Sequence, residues 1–170
     1  MAAGRSTSGM RVAIRLATPA DAAAVVELLV AQLREHAIDV PGPALARTVR
    51  GILRHPRRGL ILVATAGRRA IGVAALSFVW PIEHGGRSVW LEELYVEPAR
   101  RGRGIGRRLL RAACDAAAAR GAVAVDLEVD RGHARAARLY AREGFRPLPR
   151  ARWVLRLSGD GARGRRSRGA

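Results

Sequence analysis

LEELYVEPARRGRGIGRRLL, Leu91 to Leu110, places a strand-length run, a proline stop, a glycine-rich turn and a helix start one after another. Leu91 to Val96 mixes apolar, aromatic and carboxylate residues, Pro98 ends the run, and Ile105, Leu109 and Leu110 recur at helical spacing. Between them Gly102, Gly104 and Gly106 stand at alternate positions. Without Cβ atoms there, successive backbone N–H groups can converge on an anion at the N-terminus of the helix. Arg101, Arg103 and Arg107 add positive charge. The junction is suited to hold a phosphate.

Missing residues narrow the ligand. The chain contains no lysine, which excludes a G-x-x-x-x-G-K-[ST] phosphate loop. The dinucleotide pattern G-x-G-x-x-G fits only in part, because Arg107 stands where the third glycine belongs, although Asp126 lies about twenty residues further on, where that pattern carries an acidic residue. A second segment, LEVDRGHARAARLYAREGFRPL from Leu127 to Leu148, runs from a strand into a short helix bearing Ala136, Leu139 and Tyr140, then Gly144 and Phe145. Near the start, MRVAIRLATPADAAAVVELL reads as a strand followed by a helix, with Thr18, Pro19 and Asp21 as N-cap, N1 proline and capping box.

Arg101-x-x-Gly104-x-Gly106, behind a strand ending in Leu94-Tyr95-Val96, resembles the acetyl-coenzyme A signature [RQ]-x-x-G-x-[GA] of the GNAT N-acetyltransferases. The Ala136 to Phe145 segment resembles the later motif of that family, and the opening strand and helix are similar to its first elements. The resemblance runs in family order over roughly residues 10 to 157. It implies a mixed α/β (α+β) fold with a mostly antiparallel sheet flanked by about four helices, and acetyl-CoA as co-substrate. By the same resemblance the backbone of Leu94, Tyr95 and Val96 holds the thioester and pantetheine arm. Arg101, Gly102, Arg103, Gly104, Ile105, Gly106 and Arg107 form the pyrophosphate loop. Tyr140 protonates the leaving thiolate, its other reading being packing against Phe145. His133 stands where the family often has asparagine; a coenzyme contact there is expected from a different donor.

Amide formation needs a neutral amine, and an alkylammonium of pKa about 10.4 is neutral in only about one part in 2,500 at pH 7, a gap of about 4.6 kcal/mol. A carboxylate that binds the ammonium and accepts its proton closes that gap. Glu92 and Glu93 adjoin the thioester strand and face opposite ways if the strand is regular. The Leu91-Glu92-Glu93 order resembles the LED of polyamine acetyltransferases, which assigns Glu92 as base and Glu93 as acceptor contact; a bulge, common at this point in the family, would alter that parity. The alternative for each is a surface carboxylate balancing nearby arginines. Glu27, Glu35, Glu83 and His84 are expected on the acceptor side, where they would favour a cationic amine. Attack is expected to be direct, in a ternary complex.

Composition agrees with one domain. The chain has 170 residues, 49% of them hydrophobic, enough for a substantial core. Residues 1–10 are expected as a disordered extension, 11–158 as the acetyltransferase domain and 159–170 as a basic disordered tail. Cys114 is alone, which excludes an intrachain disulfide, and its helical setting favours packing. The histidines show no metal-ligand spacing, and no metal is expected. The longest apolar run, Ala70 to Ile82, is too short to cross a bilayer. The expected compartment is the cytoplasm.

The net charge of +17 is carried by 31 basic residues, all arginine. Asparagine is missing as well as lysine, and alanine and glycine are abundant, which fits a GC-rich coding bias. Aromatic residues are few and not interleaved with the arginines, so specific nucleic-acid recognition is not expected, whereas charge-driven adhesion is. A second function class stays open at this level: a coenzyme-binding or nucleic-acid-associated basic protein without turnover. Expected partners are acetyl-CoA, an amine acceptor and, as in many family members, a second copy in a homodimer.

Overall fold

The computed structural model describes residues 11–130 and 132–155. Strand β1 (Val12–Leu16) leads through a short 3-10 turn, Pro19–Asp21, into helix α1 (Ala22–Glu35) and then α2 (Gly42–Arg54). A hairpin follows, β2 (Gly59–Ala66) and β3 (Arg69–Val79), turned at Gly67 with φ of 60°. Next come β4 (Ser88–Val96), α3 (Ile105–Ala118), the three-residue β5 (Val125–Leu127) and α4 (Ala134–Arg142). The sheet runs in chain order β1 to β5, antiparallel throughout except for the parallel pair β4–β5. The expected mostly antiparallel sheet with four helices is what the chain adopts.

Period-2 alternation in β2 explains the layering. Leu60, Leu62 and Ala64 point to one side with Leu76, Phe78, Val89 and Leu91, where α3 supplies Leu109, Leu110 and Ala113. Ile61 and Val63 point to the other side with Val73 and Tyr95, where α1 supplies Val25, Leu28 and Leu29 and α2 supplies Val49. With both faces covered, all of β2 is buried.

One irregularity breaks the alternation in β4. Leu91 pairs with Leu76 and Glu93 with Ala75, so Glu92 is an extra residue opposite nothing. Leu91 and Leu94 therefore share the α3 face although three positions apart, while Tyr95 joins the α1 face. On the other edge, β5 pairs with β4 only from Val89 to Leu91, and β4 runs on alone to Val96. A bulge bends its strand and raises the local twist. The run Ala122 to Val129 reads in sequence as one strand; β5 is shorter because of this bend and because Ala122 N–H is diverted to Ala117 and Val123 N–H to Arg87.

Two further expectations change. The helix expected from Pro19 opens as the 3-10 turn, and α1 starts at Ala22. The Trp153 to Leu157 run reads in sequence as a closing strand; Trp153 to Leu155 are exposed and not in a strand, and the rest lies outside the described residues, as do the expected terminal extensions.

The anticipated cap centres on Asp21. Its carboxylate accepts from Thr18 N–H at 2.7 Å, from Thr18 Oγ1 at 3.0 Å and from both terminal nitrogens of Arg15 at 2.7 Å. The Arg15 hydrogen bonds, aided by Thr18, hold this carboxyl well below the usual carboxylate range. Asp21→Asn is expected to lower unfolding free energy by about 1 kcal/mol near neutral pH, measured by urea denaturation. A depressed native pKa contributes stability above the unfolded value, about 4 for Asp, and loses it as pH falls further. The gap between wild type and variant should therefore shrink in acid, and a gap that stays constant down to about pH 2 would contradict this role.

Candidate active site

The bulge and the early end of β5 leave a cleft of about 250 Å³ between the diverging strands. Its walls include Leu91 to Leu94 of β4, Glu128 to Asp130 after β5, Ala136 and Tyr140 of α4, and Gln32 and His36 at the C-terminal end of α1. Glu92, Glu93, Leu94, Tyr140 and His133, assigned from sequence, all line this one cleft.

The two glutamates differ sharply. Glu92 is exposed, whereas Glu93 is half-buried and its Oε2 accepts from the side-chain amide of Gln32. Burial pushes the Glu93 carboxyl up, against a smaller opposing influence of His36, and the charge of Glu92 adds to the rise. Tyr140 packs edge-to-face on Phe145 with ring centroids 5.6 Å apart while also facing the cleft. Tyr140 therefore both packs on Phe145 and lines the cleft. Its phenol is pushed up to about 12, by burial first and by the nearby charge of Glu93 second.

The strand edge beyond β5 presents backbone groups. Glu97 N–H bonds the Ile71 carbonyl on the β3 side, while Arg101 Nε takes the Val96 carbonyl at 2.8 Å. Because the groups of successive residues alternate in an antiparallel pair, Val96 and Leu94 direct their N–H and C=O groups to the edge away from β3. Tyr95 is buried with its ring on the opposite side, its hydroxyl donating to Glu35 at 3.1 Å.

At the turn into α3, Gly102 and Gly104 take φ of 81° and 73°, a region that side chains other than glycine rarely adopt. A Cβ at Gly104 would meet nothing within 4 Å, so the loop faces open space there. The ladder of α3 begins with Arg108 N–H on the Gly104 carbonyl at 3.1 Å, and the N–H groups of Ile105 to Arg107 have no intrahelical acceptor. The buried Ile105 anchors this end in the core, and Gly106 lies beside the side chain of Val96. These features suit an anion such as a pyrophosphate at the helix end.

The arginines of the loop divide. Arg101 bonds both carboxylate oxygens of Glu35, at 2.9 and 2.8 Å, as well as Val96. Burial alone would raise the Glu35 carboxyl, but the hydrogen bonds and charge of Arg101, with Tyr95, hold it lower than usual. Arg107 and Arg111 share Glu143. Arg103 is exposed, and no side-chain hydrogen bond of it is present among the described residues. The guanidinium of Arg101 thus fastens the loop to α1, which leaves the backbone N–H groups of the turn and the exposed Arg103 without side-chain partners among the described residues.

The carboxylates expected on the acceptor side do not gather. Glu35 is tied to Arg101, Glu83 to Arg150, and His84 to Asp126 at 2.8 Å, while Glu27 lies in a separate groove between α1 and the β2–β3 turn. The acidic lining comes instead from Glu92, Glu93, Glu128 and Asp130. Gln32, missed from sequence, was legible as the polar residue on the apolar stripe Val25, Leu28, Leu29, and it is 6% exposed with Oε1 unpartnered.

Known proteins share this arrangement. The sequence profile of the Acetyltransferase (GNAT) family matches residues 22–145. A mycothiol acetyltransferase from Beutenbergia cavernae is 33% identical over 120 residues, which cover 61% of this chain and 40% of that protein. A crystal structure of an Arthrobacter sp. FB24 protein classed with the acetyltransferases is 30% identical, with a TM-score of 0.73 over 89% of this chain and 99% of that one. An aminoglycoside N-acetyltransferase in complex with CoA has the same fold, with a TM-score of 0.76 at 20% identity, covering 90% of this chain and 99% of that one. No helix among the described residues is long and apolar enough to cross a membrane. With the family profile matched across both motifs and the cleft between them, the chain belongs to the GNAT acetyltransferase family, whose acetyl donor is acetyl-CoA.

Proposed function

We propose that the protein transfers an acetyl group from acetyl-CoA to the primary amine of a small molecule by direct attack, with Glu93 as the base. The observation that carries this reading is the position of Glu93: the bulge turns it into the cleft, half-buried, beside Tyr140 and against Gln32. A carboxylate raised by burial is a stronger base than the exposed Glu92, which is better placed to meet the acceptor's charge. Glu92, Glu128 and Asp130 give the cleft an acidic lining that favours a cationic amine. The names of the mycothiol and aminoglycoside enzymes support a small-molecule acceptor.

In the reaction the ammonium gives a proton to Glu93 and the neutral nitrogen attacks the thioester carbonyl. The developing oxyanion lies against backbone N–H groups at the free edge from Leu94 to Val96. As the C–S bond breaks, the Tyr140 hydroxyl donates to sulfur, and the second proton that the nitrogen sheds on becoming an amide restores the phenol, leaving the amide, the free thiol and protonated Glu93. A phenol near 12 is a weaker acid than a thiol near 8.5, so full transfer is uphill by about 3.5 pKa units in ordinary surroundings. Burial raises a thiol as it raises a phenol, which narrows the gap inside the cleft. Gln32 is a positioning residue that holds the Glu93 carboxylate in place. Pyrophosphate rests on the Gly102 to Arg107 turn with Arg103, and His133 meets the pantetheine arm.

Glu93→Gln is expected to lower kcat/KM by about 10²- to 10⁴-fold, and Glu92→Gln by much less. In wild type the acid limb of the kcat/KM profile should fall above the ordinary carboxylate range and disappear in Glu93→Gln. Equal losses in the two variants, or an unchanged limb, would count against Glu93. Tyr140→Phe keeps the ring contact with Phe145 and should reduce kcat by about 10²-fold or more with little change in the KM for acetyl-CoA. A variant with near-normal kcat would return Tyr140 to packing alone.

A further inference from the structure

We propose that His36, Asp130 and His133 form a binding site for a divalent cation of the zinc class, through which the metal inhibits the enzyme by closing the mouth of the cleft. His36 is far in sequence from Asp130 and His133 and meets them only in the fold. His36 follows the last turn of α1, and its N–H still bonds the Gln32 and Leu33 carbonyls. Asp130 and His133 sit in the turn before α4, which the His133 N–H closes on the Asp130 carbonyl at 2.8 Å.

Across the gap the imidazoles of His36 and His133 stack edge-to-face with centroids 4.9 Å apart, and His36 Nδ1 lies 3.4 Å from Asp130 Oδ2. One ligand atom from each residue lies within 4.8 Å of the others. Donors bound tetrahedrally to zinc at about 2.0–2.1 Å are about 3.3 Å apart, so rotation of the exposed Asp130 and His133 side chains suffices to close the set. Two imidazoles and one carboxylate are a donor set for zinc, cobalt or nickel rather than for magnesium or calcium. The fourth position stays open, as in zinc sites with three protein ligands.

The location gives the site its consequence. His36, Asp130 and His133 line the same cleft as Glu93 and Tyr140, on walls contributed by α1 and by the turn before α4. A bound cation ties those walls together across the opening and takes His133 from its coenzyme contact. Metal binding stands independently of the acetyl-transfer reading; only the inhibition rests on it.

The test uses the tag-free full chain, with Zn²⁺ alone as probe, in competition with a chelating chromophore. Wild type should bind one equivalent, and His36→Ala and Asp130→Asn should each weaken binding by at least about tenfold while keeping the wild-type circular dichroism. In parallel, Zn²⁺ should raise the apparent KM for acetyl-CoA, reversibly on addition of chelator, in wild type and not in the variants. No binding, or equal binding by wild type and both variants, would overturn the site. Site-dependent binding without any change in KM would overturn its inhibitory role.

Discussion

The parting of β4 from β5 at Leu91 is the constraint on which the site depends. A parallel pair carried on to Val96 would occupy the strand edge with β5, and a regular β4 would keep Glu93 on the face of Leu91, toward α3. One extra residue, Glu92, changes both. The strand bends away, the groups at Leu94 and Val96 face an opening, and Glu93 meets Gln32 of α1. The bulge costs a ladder position in the middle of the sheet, which the heavily buried β2–β3 hairpin beside it can tolerate.

Burial then sets the chemistry. The same withdrawal from water raises the carboxyl of Glu93 and the phenol of Tyr140, and the charge of Glu93 raises the phenol further. In the proposed reaction these two side chains, which line one cleft, are the base and the acid that amide formation from a thioester needs. The surrounding charge works in a different register. Arginines that look in sequence like a phosphate patch are partly structural: Arg101 anchors the loop to α1 through Glu35, and Arg107 with Arg111 joins α3 to Glu143 at the end of α4. In the proposed coenzyme pose, positive charge would come from the helix end and Arg103 more than from the motif's first arginine.

Much of this was legible beforehand. The glycine spacing and the Pro98 stop placed the strand, turn and helix correctly, because positive-φ glycines and a helix start leave local signatures. The Ala136 to Phe145 segment drew attention to Tyr140 through its resemblance to the later motif of the family, and the side chain lines the cleft. The parity of Glu92 and Glu93 was not legible, since a bulge is decided by pairing with β3 and by the departure of β5, neither of which lies in the local pattern. His36 and His133 lay too far apart for any spacing rule, and no motif singled out Glu128 or Asp130. The length of β5 was overestimated because its apolar run continues past the point where it loses its partner.

The account stands or falls on the coenzyme lying against the α3 end and the free edge of β4. The most direct test is calorimetric titration of the protein with acetyl-CoA at about physiological salt, beside a Gly104→Glu variant that puts a side chain and a negative charge into the open face of the loop. Saturable binding near one equivalent by wild type, lost in a variant that still folds, is the predicted result. Binding of equal strength by both, or by neither, would contradict it.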